Sequence, residues 1–256
     1  MNKRGREPFD HYYREIYGDR WDRLANSLEK EISYGTIEHF GCPSYFLDRA
    51  SIAAVESARP ISGNVLDLCA APGGKSLALL LFGSERLSLT ANERSRMRRE
   101  RLKRVFDEYL PDDVRSRVRV TGHDARRWSL YERSVYDLVL LDAPCSGERH
   151  LLRTPSELAK WTASRTKRLA TESFAMLASA LDVVRPGGSI LFSTCTISPI
   201  ENDDIVARLE RKRPGRIIVA KTEQTLGEAT KYGRMILPDR YDGMGPIYYS
   251  LIIRAE

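Results

Sequence analysis

From Ile61 to the C-terminus, short apolar runs alternate with stretches of helical period, and this alternation constrains the fold more than any other feature of the chain. The pattern predicts strands over 65–69, 87–91, 117–121, 136–141, 189–192 and 216–220. Helices are predicted over 75–82, 95–109, 163–184 and 200–211. This order predicts an α/β protein, a mostly parallel sheet with helices on both faces. A last strand over 245–254 follows a long irregular stretch, so it is free to pair antiparallel. The first part of the chain lacks the alternation. Tyr12, Tyr13, Ile16, Trp21 and Leu24 have rough helical spacing, and 47–58 reads as a second helix ending before Pro60. We expect residues 1–60 to form a short helical extension packed on a core domain of residues 61–256.

At 256 residues the chain can bury one large core. No apolar run is long enough to span a bilayer, so no membrane association is expected. Residues 1–15 mix Arg, Glu, Asp and Tyr; they lack an apolar signal core, and their acidic residues argue against a transit peptide. Cys42, Cys69, Cys145 and Cys195 are far apart, with no C-x-x-C pair or nearby His cluster. Neither a metal site nor a disulfide is therefore expected. The net charge is +6, and its distribution says more than its total. Arg94, Arg96, Arg98, Arg99, Arg101, Lys103 and Arg104 crowd one predicted helix, partly offset by Glu93 and Glu100. Arg126, Arg127, Arg149, Arg153, Lys160, Arg165, Lys167 and Arg168 recur in the middle third. Such a surface favours phosphate polyanions through counterion release, although a basic helix is also compatible with a merely solvated face.

Asp142-Ala143-Pro144-Cys145-Ser146-Gly147 and Ser193-Thr194-Cys195-Thr196 each place a cysteine just past a run that reads as a buried strand. In a parallel sheet those carboxyl ends are where ligands gather. Two thiols at one sheet edge suggest covalent catalysis; the other reading is that both are small buried fillers. Leu66 to Ser76 reads as a strand, a glycine turn and a helix start, where a ligand can approach the backbone. Gly74-Lys75-Ser76 resembles the end of a P-loop, and Leu138 to Asp142 resembles its Walker B strand. However, the pattern G-x-x-x-x-G-K-S/T needs Gly where Cys69 stands, and Pro72 has no N–H for a phosphate. Glu93, at the end of the next strand, is placed to accept hydrogen bonds from ribose hydroxyls. Asp124 ends the third strand, where it can meet an adenine amino group; His123 beside it reads as structural.

Taken together, Asp67-Leu68-Cys69-Ala70-Ala71-Pro72-Gly73-Gly74-Lys75, Asn92-Glu93, Asp124, Asp142-Ala143-Pro144-Cys145 and Ser193-Thr194-Cys195 resemble the Sun (Nol/Nop/Sun) family of RNA cytosine-5 methyltransferases. The match runs in order from about Tyr45 to the C-terminus. Glu148-Arg149-His150 and Gly245-Pro246-Ile247-Tyr248-Tyr249 are most similar to the branch containing the mitochondrial small-subunit ribosomal RNA enzyme. The resemblance implies a Rossmann-like methyltransferase fold with S-adenosyl-L-methionine as cofactor. It implies a cofactor pocket lined by Cys69, Ala70, Ala71, Pro72, Gly73, Gly74, Lys75, Ser76, Glu93, Arg98, Asp124 and Asp142, with Arg98 alternatively paired to Glu93. It assigns the attack on cytosine to Cys195, release to Cys145, and base recognition to Asp142. The family usually has Asp where Glu93 stands and commonly has Ser where Thr196 stands.

No segment reads as a separate RNA-binding domain, so recognition is expected to fall to the sheet edge, the helical extension or a partner protein. Ribosomal RNA is the expected substrate and transfer RNA the main alternative. A P-loop NTPase and a non-catalytic RNA-binding assembly factor are the rival readings. The bacterial cytoplasm is the expected compartment, with a mitochondrial origin as the alternative.

Overall fold

Every run predicted as a strand lies in one nine-stranded sheet of the computed structural model, which describes residues 4–39, 41–220 and 226–256. Residues 1–3 of the expected extension lie outside the described residues. The chain begins with α1 (Arg6–Tyr17) and α2 (Trp21–Glu29), a hairpin of β1 (Tyr34–Ile37) and β2 (Tyr45–Asp48), and α3 (Arg49–Glu56). The alternating region follows as β3 (Asn64–Asp67), α4 (Gly74–Phe82), β4 (Ser88–Asn92), α5 (Arg96–Tyr109), α6 (Asp112–Arg115) and β5 (Val118–Thr121). It continues through β6 (Tyr136–Asp142), α7 (Glu148–Arg153), α8 (Pro155–Leu158), α9 (Ala163–Val183), β7 (Val184–Thr194) and α10 (Asp203–Lys212). The last strands are β8 (Ile217–Val219), β9 (Glu228–Ala229), β10 (Arg234–Ile236) and β11 (Ile247–Arg254).

The strand order is β5-β4-β3-β6-β7-β11-β10-β9, with β8 also paired to β11. The five strands from β5 to β7 are parallel, and β11 is antiparallel to β7. The chain builds outward from β3 to β5 and then returns to place β6 on the other side of β3. The order thus reverses between β3 and β6, which opens a crevice at their carboxyl ends, where open α/β sheets bind ligands.

The period of two along the strands divides the core. Val139 and Leu141 of β6 pack on one face with Tyr13, Trp21, Leu177 and Leu209, from α1, α2, α9 and α10. Leu138 and Leu140 pack on the other with Ala54, Leu77 and Phe106, from α3, α4 and α5. Helices therefore cover both faces, which is why β6 is apolar at nearly every position. At the turn into α4, Gly73 has φ +125°, and an added Cβ would stand 3.0 Å from Val105 and 3.2 Å from Leu102. That position admits only glycine without displacing α5.

Three features differ from expectation. The helix predicted over 47–58 starts at Arg49, because Tyr45 to Asp48 pairs with β1 and the Asp48 carboxylate caps the helix by accepting from Ala50 N at 2.9 Å. The strand predicted over 189–192 begins at Val184. Its register against β6 passes from Tyr136↔Val184 to Leu138↔Ser189, so the Arg185-Pro186-Gly187-Gly188 segment is an irregularity inside the strand. The stretch before β11, which has no helical period, contains the short strands β9 and β10.

Candidate active site

β6 and β7 run parallel with Asp142 opposite Ser193, and Ala143 N donates to Ser193 O at 2.9 Å. The two chains therefore leave the sheet side by side, and each reaches a cysteine within three residues. Cys145 Sγ and Cys195 Sγ are 3.0 Å apart, and Cys195 N donates to Cys145 Sγ at 3.2 Å. A disulfide would need about 2.05 Å; both cysteines are free thiols. Cys195 is exposed and Cys145 partly buried. The contact with Cys195, burial, and the negative field of Glu201 and Glu148 all push the Cys145 thiol well above its ordinary pKa. Cys145 is thus held as a proton-bearing thiol, and Cys195 is the sulfur that an incoming molecule meets.

Behind the thiols lies a pair of buried carboxyl groups. Glu148 accepts from the Tyr13 hydroxyl at 2.5 Å, the Thr196 hydroxyl at 2.9 Å and Ile197 N at 2.9 Å. Glu201 accepts from Ser146 N at 3.0 Å, with the Thr196 hydroxyl at 3.4 Å. The residue following each cysteine is therefore tied to the same pair. Burial raises the pKa of both acids, and for Glu201 the neighbouring Glu148 adds to burial and brings it to about 8. Two carboxyl groups so close favour retaining a proton.

Asp142 ends β6 beside the thiols. One carboxylate oxygen accepts from Lys75 Nζ at 2.8 Å and the other from the Ser193 hydroxyl at 2.8 Å. Burial alone would lower the Lys75 pKa, but the charge and hydrogen bond of Asp142 raise it, so Lys75 remains an ammonium. Asp142, Lys75 and Cys195 line a cavity of about 430 Å³, together with Asp48, Arg149 and Arg153. This volume lies within the range of small-molecule sites.

A second, smaller cleft of about 150 Å³ opens at the ends of β3, β4 and β5, lined by Cys69, Glu93, Arg98, Asp124, Pro144 and Met176 among others. Glu93 accepts from Ser95 N at 2.7 Å and pairs with Arg98 at 3.1 Å, while Arg98 also donates to Ala71 O at 2.6 Å. Arg98 thus braces Glu93 and also borders the cleft. Asp124 is gripped by Arg126 at 2.6 Å, whose hydrogen bonds lower its pKa to about 2, and Arg94 lies 3.5 Å away. Of the glycine turn, Cys69 lines the smaller cleft and Lys75 the larger cavity, while Ala70, Ala71, Pro72, Gly73 and Gly74 line neither. Ala70 N donates to Asn92 O at 2.8 Å, Pro72 is exposed, and Gly73 and Gly74 are buried. Ser76 is wholly buried, and its hydroxyl donates to Asp67 at 2.6 Å, so it braces the turn from behind instead of facing either cleft. Burial raises the Asp67 pKa to about 7.

Residues 59–253 match the family described as 16S rRNA methyltransferase RsmB/F. The chain belongs to this family, a branch of the Sun methyltransferases. It is 36% identical to the bovine (Bos taurus) 5-cytosine rRNA methyltransferase NSUN4 over 229 residues, covering 82% of this chain and 59% of the relative. It is also 36% identical to the zebrafish (Danio rerio) mitochondrial tRNA (cytosine(34)-C(5))-methyltransferase over 219 residues, covering 80% and 59%. The chain thus spans about three-fifths of the length of these relatives. Among solved structures, NSun6 from Pyrococcus horikoshii with SFG superposes with a TM-score of 0.70 at 21% identity, over 83% of this chain and 53% of that one. It shares the Rossmann-like methyltransferase fold.

In this RsmB/F-family chain two site features escape sequence reasoning. The Glu148–Glu201 pair is one, because a Glu in a charged stretch reads as solvated; the sole hint is that each sits a few residues past a cysteine loop. Arg149 is the other. The charge pattern counts it among surface cations, but it is buried, because α7 packs on α2 and its guanidinium donates to Ser27 O at 3.4 Å and Gly243 O at 3.0 Å. Arg153, Arg126, Arg127, Lys160, Lys167 and Arg168 are exposed as expected.

Proposed function

We propose that this chain methylates carbon 5 of a cytosine in RNA, using S-adenosyl-L-methionine. The observation that carries the reading is the pair of thiols 3.0 Å apart, one of which, Cys195, lines a cavity that also presents Asp142. Carbon 5 of cytosine is a weak nucleophile. Addition of the Cys195 sulfur, as thiolate, to carbon 6 makes C5–C6 a single bond and shifts its π pair into C4=C5 beside the amino group, an enamine in which carbon 5 is electron-rich. Asp142, oriented by Lys75 and Ser193, accepts from the amino group and, once the ring nitrogen takes up a proton, from that N–H too, so that negative charge does not build on the ring. The cofactor, when bound, supplies an electrophilic methyl group on a sulfonium. Once carbon 5 carries the methyl group, its proton must leave and the Cys195–carbon 6 bond must break, which regenerates the aromatic ring and the free sulfur. Cys145, in contact with Cys195, is placed to manage this release.

The cleft at β3 to β5 has the acceptor set for a nucleoside cofactor. Glu93 suits the ribose hydroxyls, Asp124 an amino group, and Cys69, at the start of the glycine turn, lines the same cleft. SFG, the S-adenosylmethionine analogue named with the Pyrococcus structure, supports the same cofactor. The P-loop reading loses support because Lys75 is committed to Asp142 and Ala70 N to Asn92, leaving less of a phosphate cradle. Ribosomal RNA is the favoured substrate, after the bovine relative, with transfer RNA the alternative, after the zebrafish one. The latter's mitochondrial name supports the organellar compartment over the bacterial cytoplasm. Residues 1–60, whose α1 and α2 pack on the sheet, and a partner protein are the candidate aids to RNA recognition. Calorimetry tests the cofactor: saturable binding of S-adenosylmethionine and little of ATP with magnesium is expected, and the reverse would falsify the reading. Mapping 5-methylcytosine in RNA from cells with and without the protein then identifies the substrate.

A further inference from the structure

Arg149 is only 6% exposed, yet its guanidinium is half partnered. Nη2 donates to the carbonyls of Ser27 and Gly243, whereas Nε and Nη1 are buried with no hydrogen-bond partner. An arginine cannot shed its proton to escape such a position, and a buried charge without a counter-charge is costly. Asp48 is the main opposing charge. Its oxygens, however, already accept from Ala50 N and Gly245 N. Asp142, the other acid on the cavity, is engaged by Lys75 and Ser193. Arg149 therefore lines the cavity of Cys195 as a cation with spare donors, and the exposed Arg153 lines it one helical turn away. The planar fork of a guanidinium matches phosphate oxygens.

We propose that Arg149 and Arg153 hold the phosphate on the 5′ side of the cytosine whose carbon 6 meets Cys195. The proposal rests on the cytosine methyltransferase reading and adds to it a subsite for one phosphate. Its geometry follows from nucleotide chemistry. In the anti conformer of a pyrimidine nucleotide, carbon 6 is the ring atom turned toward the 5′ carbon. Bringing carbon 6 to Cys195 therefore carries the 5′ phosphate, and not the 3′ phosphate, toward the same wall. A cavity of about 430 Å³ suits a single nucleotide, so the base is drawn out of any stack while its own phosphate is neutralised.

The test uses the full chain with four probes, cytidine 5′-monophosphate, cytidine 3′-monophosphate, cytidine and inorganic phosphate, titrated by NMR. Wild type is expected to prefer the 5′-monophosphate over cytidine and over the 3′-monophosphate by roughly tenfold or more, the scale of a charged hydrogen-bond set. Arg149→Met is expected to remove most of that preference while leaving the affinity for cytidine within about twofold, and Arg149→Lys to restore part of it. Arg149 also ties α2 to the Gly243 turn; a purely bracing role would alter thermal unfolding and leave the 5′ preference intact, which overturns the proposal. Should Arg149→Met fail to fold, Arg153→Ala, at an exposed position, must by itself reduce the preference, and an unchanged preference there overturns the proposal equally. No 5′ preference in wild type, or binding of inorganic phosphate without it, also overturns it. S-adenosylmethionine binding is measured on the same samples. Cofactor binding without a 5′ preference fails the subsite alone, and a 5′ preference without cofactor binding fails the methyltransferase reading alone.

Discussion

At the ends of β4 and β5, Glu93 and Asp124 face arginine guanidinium groups, whereas behind β6 and β7, Glu148 and Glu201 are held by Tyr13, Thr196 and backbone N–H groups. The same residue types thus serve two purposes. Beside arginines, the Asp124 carboxylate is kept charged, with its pKa near 2, as suits an acceptor for a polar ligand. In the buried pair, Glu201 is moved to about 8, which suits a rigid brace for two loops better than an exposed acceptor. Asp142 stands between these regimes, partly buried and paired with Lys75 at 2.8 Å. The contrast separates a cleft built to exchange partners from a scaffold built to hold two sulfurs in contact.

Breaking the Asp142–Lys75 pair is expected to have the largest effect. Asp142→Ala removes the proposed recognition group for the base and leaves Lys75 without its partner, so turnover should fall by about 10²–10³. Unfolding free energy should fall by about 3–5 kcal/mol in denaturant titration, the cost of stranding a buried charge. Asp142→Asn should lose similar activity with a smaller stability cost. Glu93→Ala probes the other side of the comparison. Cofactor affinity should weaken by about 1–3 kcal/mol by calorimetry, with little change in stability, because its cleft is made for a ligand and not for the core. A stability loss that exceeds the affinity loss would erase the distinction between the two regions.

Glu201→Gln gives the sharpest sign. Because the folded pKa is raised, the fold binds a proton that the unfolded chain has released, so this group's contribution to stability declines as pH rises from about 4.5 to about 8. Removing the titration should flatten that decline, so the variant gains on wild type at pH 8 relative to pH 5. Thermal unfolding at both pH values reads the difference, and parallel curves would mean that Glu201 is charged throughout.

This contrast also explains what could be read from the sequence. The parallel core was legible because strands buried on both faces are continuous apolar runs and the turns between them carry Gly and Pro, as from Cys69 to Gly74. The thiols were legible because each follows such a run, and the β6–β7 register then brings them together. The β1–β2 hairpin was not, since its strands are mostly exposed or half-buried and lack the both-face burial of β3 and β6, and Leu47 reads as helical until Asp48 caps α3. Arg149 was misread as a surface cation because burial of a charged residue depends on partners distant in sequence, here Ser27 and Gly243. Glu148 and Glu201 were unreadable for the same reason, their environment being made by Tyr13 and Thr196.

The central claim is that the two sulfurs, 3.0 Å apart, divide one covalent cycle between them. Denaturing electrophoresis of each cysteine variant after incubation with RNA and S-adenosylmethionine tests it directly. Cys145→Ala should accumulate an RNA–protein adduct that RNase removes, because attack proceeds and release is slowed, while Cys195→Ala should form no adduct and no 5-methylcytosine. An adduct confined to Cys195→Ala would reverse the roles, and full turnover in both variants would contradict the covalent account altogether.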